Sequence, residues 1–200
     1  MDKKTIETYD ANAKEFEEET KDYLGNYIIQ DAELFLKKIK GKNILDIGSG
    51  AGRDALFFKE KGFSPVCIDL SKTMVALCKK KGLITYQMDM EQITFENEMF
   101  DGIWAHTSLV HLKKNKIENV LMKIANLLKE KGIFFISMKE GEFEGYLENK
   151  NYKQQKMFYS FYTKNKLELL LSRFFIIIHF SRIELNPGDV YLNFLCVKNH

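Results

Sequence analysis

Asn43-Ile44-Leu45-Asp46-Ile47-Gly48-Ser49-Gly50-Ala51-Gly52-Arg53-Asp54 is the stretch on which the fold turns. A short apolar run, Asn43 to Ile47, ends in spaced glycines, and a helical pattern follows from Ala51 to Lys61 before Gly62. That is a buried strand, a tight turn and a helix. Upstream, Ile6, Tyr9, Ala13 and Phe16 recur at helical spacing, and Ile28, Ala32, Phe35, Leu36 and Ile39 repeat the pattern up to Gly41. Downstream, strands are predicted at Pro65 to Ile68, Ile84 to Met88, Phe100 to Ala105 and Ile133 to Met138. Between them lie a helix capped by Ser71 and running to Lys80, and one through Ile117 to Leu128 that ends at Gly132. Residues 140–157 read as polar and irregular. A helix capped by Thr163 runs through Leu171, and Phe174 to Ile183 and Val190 to Val197 are the last strands. Alternation of strand and helix specifies an open, mostly parallel α/β sheet with right-handed crossovers and helices on both faces. Only Glu184 to Asp189 separates the last two strands, too few residues for a parallel crossover, so they form an antiparallel hairpin. The expectation is one seven-stranded domain over residues 1–200.

Composition sets the outer limits. The 200 residues are 45% hydrophobic and 29% charged, the mix of a globular protein rather than a disordered or fibrous one. Thirty Lys and Arg against 28 Asp and Glu leave +2, too little to suggest nucleic acid as a partner. Cys67, Cys78 and Cys196 have neither metal-site nor redox-motif spacing, which fits a reducing cytoplasm. No apolar signal region follows Met1, and no apolar run approaches the ~20 residues of a membrane span.

The glycine loop opens a helix, and such a turn lets a ligand approach backbone N–H groups. Its spacing is Gly48-x-Gly50-x-Gly52, with Arg53 where a dinucleotide fingerprint has its third glycine, and there is no P-loop sequence. Asp46 sits two residues before the first glycine. A carboxylate there opposes a pyrophosphate and suits a cation.

Asp46-x-Gly48-x-Gly50-x-Gly52 resembles the first motif of the class I S-adenosylmethionine-dependent methyltransferases. Val66-Cys67-Ile68-Asp69, Tyr86-Gln87-Met88-Asp89-Met90 and Phe100-Asp101-Gly102-Ile103-Trp104-Ala105 resemble the motifs at the next three strand ends. His106-Thr107-Ser108-Leu109-Val110-His111-Leu112 resembles a continuation common in small bacterial members. The resemblance covers roughly Tyr9 to Val197 and implies a Rossmann-like fold with S-adenosyl-L-methionine as cofactor and S-adenosyl-L-homocysteine as its product. It also implies positions for the cofactor's parts. Gly48, Ser49, Gly50 and Gly52 form the loop, Asp46 holds the ammonium, Asp69 the ribose hydroxyls and Asp89 the adenine amine. Leu70, Met74, Met90 and Ala105 are expected beside them.

Other readings stay open at single residues. Arg53 meets either the cofactor's carboxylate or a surface partner, and Tyr9 either covers the cofactor or packs in the core. His106 and His111 are candidate general bases at the end of the fourth strand, or simply bind backbone groups there. No metal site is expected. The aromatic-rich stretch 140–162, with Phe143, Tyr146, Tyr152, Phe158, Tyr159, Phe161 and Tyr162, reads as an acceptor-side lid, with residues 1–41 as its other half. Methyl transfer needs mainly positioning, worth about 7–11 kcal/mol, so few catalytic groups are expected. A small-molecule acceptor is the default because no recognition domain is visible and the fourth motif lacks Asn-Pro-Pro-Tyr. An RNA or protein methyltransferase, a catalytically idle binding module and a NAD-binding oxidoreductase are the alternatives.

Overall fold

The computed structural model describes residues 2–148 and 155–199. Its central sheet has seven strands: β1 (Asn43–Ile47), β2 (Ser64–Asp69), β3 (Ile84–Gln87), β4 (Phe100–His106), β5 (Leu128–Lys139), β8 (Phe175–Asn186) and β9 (Asp189–Lys198). Their order is β3-β2-β1-β4-β5-β9-β8, parallel except where β9 runs against β5 and β8. The predicted α/β sheet with its terminal hairpin is therefore present. Asn186 pairs with Asp189, so Pro187 and Gly188 alone make the turn, and Gly188 has φ +80°.

Because both faces are covered, the inner strands are apolar almost throughout. Ile44, Trp104 and Phe135 face α2 (Ile29–Lys38) and α3 (Arg53–Glu60), where Phe35 and Phe58 are fully buried. Trp104 stacks on Phe135 at 3.7 Å between ring centroids. Leu45, Ile103 and Phe134 face the other way, toward α5 (Lys114–Leu127) and α6 (Lys164–Leu171). α4 (Lys72–Lys80) begins at Ser71, whose side chain accepts from the Met74 N–H at 3.1 Å.

The structure corrects two expectations. Gly132 does not end α5. The helix stops at Leu127 and the chain enters β5 at once, with an irregularity opposite Phe100 to Gly102 in which Lys131 takes φ +59°. Residues 140–157 are not irregular where described: β6 (Glu144–Glu148) pairs antiparallel with β7 (Lys156–Ser160). These strands alternate exposure along a small two-stranded sheet, so their composition looks like a loop's. α1 (Lys3–Thr20) packs Ala13, Tyr9 and Phe16 of its apolar stripe into a small cluster with Ala51 and Met74. Thr5, Thr8, Asn12 and Ala13 are its buried residues, while Tyr9 and Phe16 are half-buried over the glycine loop.

Candidate active site

The chain runs outward from β1 to β2 and β3 and then returns to place β4 on the other side of β1, and ligands of open α/β sheets lie beyond such a reversal. There the structure has a cavity of about 1060 Å³. Small-molecule pockets span ~300–1,000 Å³, so this one has room for more than one small ligand. It reaches from the glycine loop, past the ends of β4 and β5, to the β8–β9 hairpin.

At the loop end, Gly48 and Ser49 N–H groups donate to the Ile68 carbonyl at 2.8 and 3.1 Å. Gly50 N–H donates to Asp69 Oδ2, and Ser71 N–H to Asp69 Oδ1, each at 2.9 Å. Two bonds leave a carboxylate with about two further acceptor positions, one on each oxygen. Burial raises the Asp69 pKa to about 6 against those two backbone donors. Asp46 is buried, its Oδ2 has no hydrogen-bond partner, and it lines the cavity. Burial, then the negative charge of Asp54, pushes its carboxyl well above the usual range. A buried carboxyl without a partner on one oxygen is a ready site for a cation.

The three loop glycines have different reasons to be glycine. Gly48 has φ +67°, and a Cβ there would collide with the Ser108 side chain. At Gly52, φ is +81° and a Cβ would come within 2.5 Å of Leu83 and 2.9 Å of Cys78. Gly52 thus serves helix packing and does not line the cavity. Gly50 has φ +54°, and a Cβ there would come within 3.1 Å of the Phe16 ring, which lies over the loop.

Of the other expected neighbours, Tyr9, Ser49, Arg53, Leu70, Met74 and Met90 line the cavity. Ala105 is fully buried away from it, and Asp89 instead caps the short 3-10 turn at Met90–Gln92, accepting from the Glu91 N–H at 2.9 Å.

Arg53 is not the surface residue of one of its readings: it lines the cavity and is mostly buried. Its guanidinium is turned inward, with Nε 2.5 Å from Asp54 Oδ1, Nη1 donating to the Thr20 carbonyl at 3.0 Å and Nη2 2.8 Å from His106 Nδ1. Asp54 also accepts from Trp104 Nε1 at 2.8 Å and lies 3.0 Å from His106 Nδ1. Burial opposes ionisation of Asp54, but Arg53 and His106 outweigh it and hold the carboxyl far below the usual range. His106 is thereby built into the cavity wall, and burial lowers its pKa against the pull of Asp54.

His111 is arranged differently. Its Nδ1 is 2.8 Å from the Phe158 carbonyl, which can only accept, so Nδ1 carries the proton. Nε2 then presents a lone pair, and the Tyr9 hydroxyl donates to it at 2.8 Å. Burial lowers the His111 pKa to about 4, so the ring is neutral near pH 7. Both side chains line the cavity.

α1 and the β6–β7 hairpin hold Tyr9 there. Asp10 accepts from Ser71 Oγ at 2.6 Å and from Thr73 N–H at 3.0 Å. Phe158 N–H donates to Thr5 Oγ1 at 2.9 Å, and Asn12 Nδ2 to Gln155 Oε1 at 3.0 Å. Of the aromatics in 140–162, Tyr159 and Phe161 line the cavity, Phe158 and Tyr162 are buried outside it, and Phe143 and Tyr146 are exposed. Tyr152 lies outside the described residues.

Sequence reasoning missed Asp54, Ser137, Lys139, Tyr191 and Asn193, all of which line the cavity. A signal existed for two of them: Ser137 and Asn193 are single polar residues inside the apolar runs Phe134 to Met138 and Leu192 to Val197. Among the described residues, no group of His, Cys, Asp or Glu is placed to hold a metal ion. Among them, no helix is long and apolar enough to cross a membrane.

Residues 44–132 match the family described as "Methyltransferase domain". The protein named "Putative methyltransferase YqeM" of Bacillus subtilis (strain 168) is 32% identical over 106 residues, 50% of this chain and 42% of that protein. The match thus spans less than half of that relative's length. The Burkholderia thailandensis 1,6-didemethyltoxoflavin-N1-methyltransferase, solved with 1,6-didemethyltoxoflavin and S-adenosylhomocysteine, superposes with a TM-score of 0.73 at 21% identity, covering 96% of this chain and 88% of that one. DhpI, solved with S-adenosylhomocysteine, gives 0.74 at 18% identity, covering 98% and 96%. The strand order and these superpositions give the chain the Rossmann-like fold of S-adenosylmethionine-dependent methyltransferases, and the segment from β1 to the start of β5 matches the methyltransferase domain.

Proposed function

We propose that the chain is an S-adenosylmethionine-dependent methyltransferase that acts on a small molecule. The observation that carries this reading is Asp46: a buried carboxyl with an unpartnered oxygen, opening into a cavity at the reversal of the sheet. The donor fits the residues around it. Its ammonium answers Asp46, its ribose hydroxyls answer the two remaining acceptor positions of Asp69, and Leu70, Met74, Met88 and Met90 supply apolar surface for a base. A dinucleotide fits worse, because its pyrophosphate would meet Asp46 and Asp69 with no free cation on the loop.

When bound, the donor supplies a methyl carbon made electrophilic by a sulfonium. The chain's own residues orient the partners and keep water out, with Tyr9 and Phe16 of α1 over the loop and Tyr159 and Phe161 of the hairpin side opposite. A protonated acceptor must lose its proton, and His111 Nε2 is the neutral lone pair positioned to take it through the Tyr9 hydroxyl. The small-molecule reading is supported by the size of the cavity and by the bound heterocycle in the Burkholderia thailandensis enzyme. Nucleic acid is disfavoured because carboxyl groups outnumber cations among the described residues of the cavity lining.

The test is to incubate the protein with S-adenosylmethionine and pools of small molecules and to measure S-adenosylhomocysteine by mass spectrometry. Product formed only in the presence of one pool supports the reading. Donor binding with no product from small molecules, but with product from RNA or protein, contradicts it.

A further inference from the structure

The far end of the cavity, toward β5 and β9, holds groups that the donor does not account for. His106, Ser137 and Asn193 are register partners across β4, β5 and β9, so their side chains form a row on one face of the sheet. Ser137 is fully buried and Asn193 is 1% exposed, yet Ser137 Oγ and Asn193 Oδ1 have no hydrogen-bond partner. Both residues line the cavity.

The orientation of the Asn193 amide is set from behind. Its Nδ2 donates to Asp31 Oδ2 at 2.9 Å and to Ser181 Oγ at 3.2 Å. The Ser181 hydroxyl itself donates to Asp31 Oδ2 at 2.6 Å, so its oxygen is available to accept from Asn193. Asp31 comes from α2 and is buried. This network directs the amide nitrogen away and leaves Oδ1 as an acceptor that a ligand's N–H or O–H can satisfy.

Charge narrows the choice. Among the described residues, nine carboxyl groups and four cations line the cavity, and every one of these four cations faces a carboxylate. Arg53 pairs with Asp54, Lys81 with Glu17 at 2.7 Å, Lys139 with Asp189 at 2.5 Å, and Lys21 with Glu18. Among these residues an anionic acceptor has no unpaired cation to meet and a surplus of carboxyl groups to oppose it. The walls at this end are aromatic, with Tyr23, Tyr159, Phe161 and Tyr191 among the lining residues. They already surround a cation: Lys139 Nζ is 5.2 Å from the Phe161 ring centroid and 5.9 Å from that of Tyr191.

We propose that this end of the cavity takes an amine as the methyl acceptor: a small nitrogen compound with an N–H donor for Asn193 Oδ1 and no anionic group. The inference rests on the methyltransferase reading above. In the reaction, the nitrogen lone pair forms the new N–C bond, the electrons of the broken C–S bond stay on sulfur, and the proton displaced from nitrogen leaves through Tyr9 to His111 Nε2. Ser137 Oγ supplies a second hydrogen bond beside Asn193.

The experiment uses the full chain, S-adenosylmethionine labelled in its methyl group, and matched sets of primary amines, alcohols, carboxylates and phosphate esters built on the same carbon skeletons. Binding of the donor is first measured by itself. Label transferred to the amines, with little to the other sets, is expected. Transfer mainly to carboxylates, phosphates or alcohols overturns the proposal, and so does no transfer to any set by a protein that binds the donor. A protein that fails to bind the donor overturns the underlying reading instead.

Two variants check the residues. Ser137→Ala removes a hydroxyl that has no protein partner, so it folds normally; KM for the preferred amine rises ~3–10-fold, the worth of one hydrogen bond, with donor affinity unchanged. Asp189→Asn releases Lys139, so KM for the amine rises and carboxylates of the same skeleton begin to compete. An unchanged order of preference in Asp189→Asn counts against the charge argument.

Discussion

Asp69→Ala is the substitution whose effect follows most fully from the structure. The Asp69 carboxylate accepts from Gly50 N–H and Ser71 N–H, which leaves one acceptor position on each oxygen for the ribose hydroxyls. A hydrogen bond to a charged group is worth about 1.5–3 kcal/mol, so losing two costs about 3–6 kcal/mol of donor binding. At ~1.4 kcal/mol per tenfold, Kd for S-adenosylmethionine rises by about two to four powers of ten. The fold itself should survive. Ionising Asp69 in its buried site, with a pKa of about 6 against 3.8, destabilises the ligand-free protein by about 3 kcal/mol above pH 6, and alanine removes that cost. Two backbone N–H groups lose their partner, a loss of roughly 1–3 kcal/mol each, so the two effects offset within a few kcal/mol. Calorimetric titration reads the affinity and circular dichroism reads the fold. A folded variant with Kd within a few-fold of the parent protein would refute the ribose assignment. The same pKa predicts that donor affinity falls as pH drops through about 6, because protonation removes the charge the hydroxyls bind.

Three further predictions concern neighbouring groups. Tyr9→Phe keeps the ring over the loop and removes the hydroxyl from His111 Nε2; kcat should fall at least tenfold with donor Kd changed less than about threefold, and an unchanged kcat assigns the pair a structural role. Folding stability should depend on His111 in acid. Its folded pKa of about 4 lies below the unfolded 6.5, so its stabilisation of about 3 kcal/mol is complete above pH 6.5 and is lost as pH falls toward 4. Thermal unfolding across that range should show this loss, and His111→Asn should flatten it. Asp54→Asn leaves Arg53 buried without its carboxylate, so stability should fall by about 3–5 kcal/mol in urea; a change under 1 kcal/mol contradicts the structural role given to the pair.

The strand ends were legible in sequence because chain-local features mark them: an apolar run, a glycine or acid, then a helix start. Asp46, the glycine loop and Asp69 were placed at the strand ends in that way, and there they line the cavity. Residues whose roles depend on distant partners were not. Arg53 reads like any basic residue at a helix start until His106 and Thr20 are brought to it from 53 and 33 positions away. Ser137 and Asn193 meet only because β9 inserts between β5 and β8, a register that local pattern does not reveal. The β6–β7 hairpin was missed for a related reason. Its two short strands have one glycine and several charged residues, and they gain strand character only by pairing with each other. Tyr9 has two readings on its helix face, and sequence could not show that α1 is tied to Ser71 and Thr73 of the α4 entrance, which sets Tyr9 on the cavity wall.

The most direct test of the account is a side-by-side calorimetric titration of the protein with S-adenosylmethionine, S-adenosylhomocysteine and NAD. The account predicts saturable binding of the first two through Asp46 and Asp69, and no binding of NAD. Binding of NAD alone would contradict it.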